Sequence, residues 1–198
     1  MKQSTIKNGI LTLGLLFSSV LNLDAQTDIE NNRLKLEVEP ALYFYAGRSI
    51  SGLYNVTKDN NFGIGFYMMS TEVPDAIASN MFKNFDAASS TAKITQQFSL
   101  NFRYRLKISK KYESNPYVAL MIGAQNISIE SSGKSKMNVG TGIITPLIGY
   151  EFYMYKKMIY FNPQLRFANY IGSKKSDETR PETLRSMLLP GIIIGYRF

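Results

Sequence analysis

The chain contains no cysteine, no histidine and no tryptophan. Without cysteine there is neither a disulfide framework nor thiol chemistry. Without histidine, the commonest general base and the commonest transition-metal ligand disappear together. No Gly-rich phosphate loop is present to suggest a nucleotide site, so no cofactor is expected. Past Ala25, no apolar run approaches the ~20 residues that a bilayer-spanning helix requires. Basic residues outnumber acidic ones, 23 to 15, but they are scattered through alternating segments and turns. Without a basic cluster, nucleic acid is not the expected partner.

What is present begins with an export signal. Lys2 and Lys7 supply a positive head, Ile10 to Leu23 form a short apolar run, and Leu23-Asp24-Ala25 offers a small residue for cleavage before Gln26. Residues 1–25 therefore read as a signal peptide and 26–198 as one exported domain. No cysteine follows the cleavage point, which excludes a lipoprotein anchor.

The exported part alternates with a period of two. Its last stretch is the clearest guide: Leu184, Ser186, Leu188, Pro190, Ile192, Ile194, Tyr196 and Phe198 share one face. Arg185, Met187, Leu189, Gly191, Ile193, Gly195 and Arg197 share the other. That is a long strand, beyond the ~5–6 residues usual in soluble sheets. Leu34 to Gly47 alternates likewise, with Lys35, Glu37 and Glu39 opposite Leu34, Leu36 and Val38. Weaker or comparable strands follow at 50–56 and 62–69. Ile94 to Ile108 sets Ile94, Phe98, Leu100, Phe102 and Tyr104 against Gln97, Ser99, Asn101, Arg103 and Arg105. Three more strands run from about Val118, Ile144 and Ile159.

Eight such strands, each apolar on one side and polar on the other, predict an all-β fold. The expected form is an eight-stranded antiparallel up-and-down transmembrane β-barrel, since closure alone leaves no bare backbone edge in lipid. Short turns near 57–61, 109–115 and 155–158 fall at one end. Longer connections near 47–49, 72–93, 130–138 and 172–183 fall at the other, the asymmetry expected of these barrels. With both termini periplasmic, the longer connections face outward. Tyr104, Tyr117, Tyr150, Phe152, Tyr196 and Phe198 are candidates for interfacial aromatic girdles. Pro40, Pro146, Pro163 and Pro190 all fall on the apolar face inside proposed strands, where each removes a ladder hydrogen bond.

A signal peptide, eight two-faced strands and a final strand ending on Phe198 make the chain resemble the small bacterial outer-membrane barrels. Within that porin-like family the likeness is to the outer-membrane protein A/X-like and W-like group. In such barrels a terminal aromatic is an assembly signal, usually with a glycine five residues before it. Here that position is Ile193, flanked by Gly191 and Gly195. The resemblance implies the outer membrane of a Gram-negative bacterium, contact with its lipid, and folding by the barrel-assembly machinery. Enzymes of comparable families use histidine, which this chain lacks, so a non-enzymatic role in envelope integrity or surface contact with an unidentified ligand is expected. The alternatives are a narrow pore for small apolar or anionic solutes and a soluble periplasmic lipid-binding barrel.

Two candidate sites emerge. An eight-stranded interior is just wide enough for its own side chains, and charges confined there must pair or meet water. Glu37, Glu39 and Glu151 against Arg103, Arg105 and Arg197 form an expected lumen charge network in the periplasmic half. Glu39 and Arg105 stand as an expected contact, while Arg166 and Arg185 leave the upper lumen basic. In the long connection, Pro74-Asp75 opens an expected short helix with Ile77, Met81, Phe82 and Phe85 on one side, an outer-loop lid over the barrel mouth.

Overall fold

The computed structural model describes residues 33–57, 59–83, 85–106, 115–133, 136–154, 158–172 and 182–198. The expected signal peptide lies outside the described residues, as does most of the turn at 109–115.

The chain runs through β1 (Leu34–Val38), a helical turn α1 (Pro40–Tyr43), β2 (Arg48–Asn55), β3 (Phe62–Val73) and the helix α2 (Asp75–Met81). It continues with β4 (Phe82–Lys83), β5 (Ser90–Arg105), β6 (Asn115–Ser131), β7 (Met137–Tyr153), β8 (Ile159–Ile171), β9 (Glu182–Leu184) and β10 (Met187–Arg197). Eight of the strands close into an antiparallel barrel in the order β1-β10-β8-β7-β6-β5-β3-β2. Sequential neighbours pair throughout and the last strand meets the first, which is up-and-down topology. β4 and β9 make a separate two-stranded sheet, Phe82 opposite Leu184.

Alternation sets the two faces, because successive side chains of a strand point to opposite sides. Ile64, Leu100, Ile122, Ile148, Leu165 and Ile192 stand exposed on the outside, while Gln97, Asn101, Thr145, Asn162 and Gln164 are buried within. Leu34 and Phe198 mark one rim, joined by the Phe198 N–H bond to the Leu34 carbonyl at 2.9 Å. The opposite rim carries α1, α2 and the β4–β9 pair. These are called the terminal rim and the loop rim below.

Several expectations change. The first strand does not run to Gly47; it stops at Val38, and Pro40 takes the first position of α1, where a missing N–H is no loss. The long connection shrinks, since β3 extends to Val73 and β5 begins at Ser90. The closing strand starts at Met187, and Leu184 belongs to β9 instead. Ile94 does not share the outer face of Phe98. An extra residue at Thr95–Gln96 shifts the register of β5 against both neighbours, so Ile94 and Ala92 turn inward. Tyr117 is no girdle residue; it is buried in the lumen, whereas Tyr104 and Phe152 are exposed as expected.

The prolines resolve one by one. Pro40 ends a strand. Pro146 and Pro163 each coincide with one of two interruptions in β7–β8 pairing, which skips from Ile144 to Leu147 and from Gly149 to Phe152. Pro190 lies on β10 above the last residue that β1 pairs, Ile194. Each sits where a ladder bond is already absent on one side.

Candidate functional site

The interior is built in levels. Nearest the terminal rim, β1 contributes Lys35 and Glu37, β5 contributes Arg103 and Arg105, β7 contributes Glu151 and Tyr153, β8 contributes Tyr160 and β10 contributes Arg197. Parity alone puts all of them inside; register decides who meets whom. Glu151 accepts from Lys35 Nζ at 2.8 Å to both of its oxygens, from Arg103 Nη1 at 3.0 Å and from Arg105 Nη2 at 2.7 Å. Glu37 accepts from Arg103 through both guanidinium nitrogens, at 2.6 and 2.9 Å, a bidentate geometry that fits the planar fork. Arg197 lies opposite Lys35 in the β1–β10 register, its guanidinium 4.9 Å from the Tyr153 ring centre. Glu37, Glu151 and Lys35 are essentially without solvent contact. Ions this deep persist only with near-complete pairing and hydrogen bonding.

One level up, Glu39 accepts from Arg166 Nη2 at 2.7 Å. Each of the three carboxylates also takes a tyrosine hydroxyl: Tyr160 on Glu37 at 2.7 Å, Tyr153 on Glu151 at 2.8 Å and Tyr67 on Glu39 at 2.9 Å. Tyr160, and Tyr117 beside this group, fit because glycines face them. Gly195 lies opposite Tyr160 and Gly149 opposite Tyr117, and a Cβ at either would fall inside the facing ring. Tyr117 then stacks under Arg103, 4.5 Å from its guanidinium, and donates to Asn162 at 2.9 Å.

The structure thus brings together five of the six expected network residues near the terminal rim: Glu37, Arg103, Arg105, Glu151 and Arg197. The sixth, Glu39, sits a level higher and pairs with Arg166, not with Arg105. Lys35 and the three tyrosines escaped selection. Their inward parity was the available signal, but parity cannot rank partners across a lumen.

Nearer the loop rim the chemistry changes. A belt of Gln97, Gln125 and Thr141, neighbours in register on β5, β6 and β7, separates the charges from an apolar chamber. Val73, Ala92, Ile94, Ile127, Ile129 and Met137 line it from the strands, and Ala78, Met81 and Phe82 fill it from above. Ile77 and Phe85 pack on the same cluster, half buried. The four lid residues are therefore together, on and just after α2. The upper lumen is apolar, not basic: Arg166 is neutralised by Glu39, and Arg185 is exposed, its backbone N–H bonded to the Met81 carbonyl at 2.9 Å. Among the described residues no group of acidic side chains is arranged to hold a metal ion.

No family model and no curated protein sequence matches this chain. Its fold, however, has solved counterparts. The N-terminal β-barrel domain of Pseudomonas aeruginosa OprF superposes with a TM-score of 0.54 at 14% identity, over 84% of this chain and 98% of that one. Neisserial surface protein A gives 0.53 at 12% identity, over 84% and 95%. The chain therefore has the fold of the eight-stranded outer-membrane β-barrels.

Proposed function

We propose that this chain is a non-enzymatic barrel of a Gram-negative outer membrane that serves envelope integrity or surface contact, with its lumen sealed. The carrying observation is the filling of the interior at two levels by different means, ion pairs below and an apolar plug with α2 above. The exposed apolar outer band supports lipid embedding; a soluble lipid carrier would leave that band in water. The barrel-assembly machinery is the partner for its folding, and the loop rim carries the surface contact.

A specific observation keeps a second reading: Lys35, Arg103, Arg105, Arg166 and Arg197 outnumber Glu37, Glu39 and Glu151 in the lumen. That excess suits a narrow, anion-preferring path gated by α2. Refolding into liposomes and recording in a planar bilayer tests both. The sealed reading expects heat-resistant barrel migration without discrete conductance steps. Reproducible steps in the wild-type protein overturn it in favour of the gated pore, and a fold that stays soluble without detergent overturns the membrane assignment.

A further inference from the structure

The barrel wall is not closed equally at all heights. Along an antiparallel strand, alternate residues address their N–H and C=O to alternate neighbours. On β10 the Arg197 N–H bonds on the β8 side, to Met158 at 2.8 Å, and the Phe198 N–H on the β1 side, to Leu34. Register with β8 is unbroken from Tyr196 to Met187, so the same alternation turns Leu188, Pro190 and Ile192 toward β1. But β1 has ended at Val38. At that height the neighbour is the single turn α1, and among the described residues no backbone hydrogen bond joins it to β10.

Three features indicate what passes there. Pro190 has no N–H, so the edge is poorly suited to taking up another strand. Leu188 and Ile192 are exposed beside it, and Phe44, just after α1, is 77% exposed, so the seam's outer side is apolar. Behind Gly191 stands the Glu39–Arg166 pair. Behind the seam's upper end, at Met187, lies the upper chamber, bordered by Met69, Met81, Met137 and Met187, thioether side chains that repack readily around different shapes. At the chamber's base the Gln125 carboxamide is buried, its nitrogen turned to the Tyr170 hydroxyl and its oxygen without a partner. A buried acceptor left unpaired is unfavourable, and a ligand with one neutral hydroxyl would satisfy it. The charged pair nearby, Glu39 with Arg166, is already neutralised, so nothing in the chamber calls for a charged ligand.

We propose, resting on the membrane reading above, that the seam between α1 and upper β10 is a lateral portal. Through it a long-chain apolar molecule with one neutral hydrogen-bonding group, such as a long-chain alcohol, passes from the bilayer into the chamber and bonds to Gln125. α2 yields its place as the chamber fills.

The chain has neither tryptophan nor cysteine, which makes the test clean. Phe82→Trp places a buried reporter in the chamber, and a brominated long-chain alcohol in liposomes is the quencher. Heat-resistant migration qualifies each variant first; if Phe82→Trp does not fold, Phe85→Trp reports in its place. Saturable quenching is expected. Stapling Leu42→Cys to Leu188→Cys with a short, reducible thiol cross-linker should slow quenching at least about tenfold, with recovery on reduction. Gln125→Leu should weaken saturation about fivefold, the worth of one hydrogen bond. Quenching that does not saturate, that ignores the staple, or that is unchanged in Gln125→Leu overturns the portal. Failure of the unmodified chain to insert into liposomes overturns the membrane reading and the portal with it.

Discussion

The lower and upper halves of this lumen solve one packing problem in opposite ways. Near the terminal rim, cations and carboxylates interlock with tyrosine hydroxyls until every carboxylate has several partners. Near the loop rim, aliphatic and thioether side chains fill the same width, and a helix closes it. The ionic half is specific and brittle, because each charge depends on its neighbours. The apolar half is adaptable, since burial is roughly proportional to area and tolerates exchange of shape. A sealed base and a deformable mouth follow from that contrast.

The sharpest way to break the comparison is at its ionic centre. Glu151→Leu leaves Lys35 and Arg105 without their carboxylate and should destabilise the barrel by about 3–5 kcal/mol, read as a fall in the urea midpoint in liposomes. If the fall matches that of an exposed-surface substitution, the ionic half is not what holds the base.

The apolar half should respond differently to two changes at one residue. Met81→Ala removes buried volume and should cost about 2–5 kcal/mol of loop-rim stability. Met81→Leu keeps the volume and should cost less than about 1.5 kcal/mol. Thermal unfolding followed by a probe on α2 separates them; equal losses would mean that the chamber is as brittle as the base.

At the boundary, Glu39 and Arg166 decide to which half that level belongs. A double-mutant cycle with Glu39→Gln and Arg166→Gln should give a coupling of about 1–3 kcal/mol. The cycle over Glu39 and Arg105 should come out nearly additive, because their side chains have different partners. The opposite pattern in urea unfolding would reverse the pairing and the register beneath it.

The smallest effect lies outside the barrel. Asp86 accepts from the Ser89 hydroxyl at 2.6 Å and from the Ala88 N–H at 3.1 Å, and these bonds hold its carboxyl below the ordinary aspartate range. A depressed value in the folded loop means that the contribution is present above the ordinary aspartate pKa and fades as pH falls through the depressed one. Once the slower intrinsic exchange in acid is divided out, the protection of the Ala88 and Ser89 amides should therefore fall at acid pH while α2 stays protected. Simultaneous loss in both would show that the loop and the plug open as one unit.

Much of this was legible in the sequence, and the limits are physical. The period of two determined which side chains face inward, so Glu37, Arg103, Arg105, Glu151 and Arg197 were identifiable without coordinates. Pro74-Asp75 announced α2, and Ile77 and Met81 its buried side, while Phe82 and Phe85, expected on the same helix, follow it outside the helix and still pack on the cluster. Two corrections had local signals. Pro40 directly after Glu39 fits the first position of a helix. Thr95, Gln96 and Gln97, three polar residues in a row between Ile94 and Phe98, mark the irregularity that turned Ile94 inward. Partner choice had no local signal at all. Whether Glu39 meets Arg105 or Arg166 depends on strand tilt and register accumulated around a closed barrel, a property of all eight strands together. The apolar chamber and the unpaired edge of β10 are of the same kind. Sequence alternation set the facing of each residue because facing is local to one strand; height and neighbour were set only when the barrel closed, because closure alone fixes where the strands stand against one another.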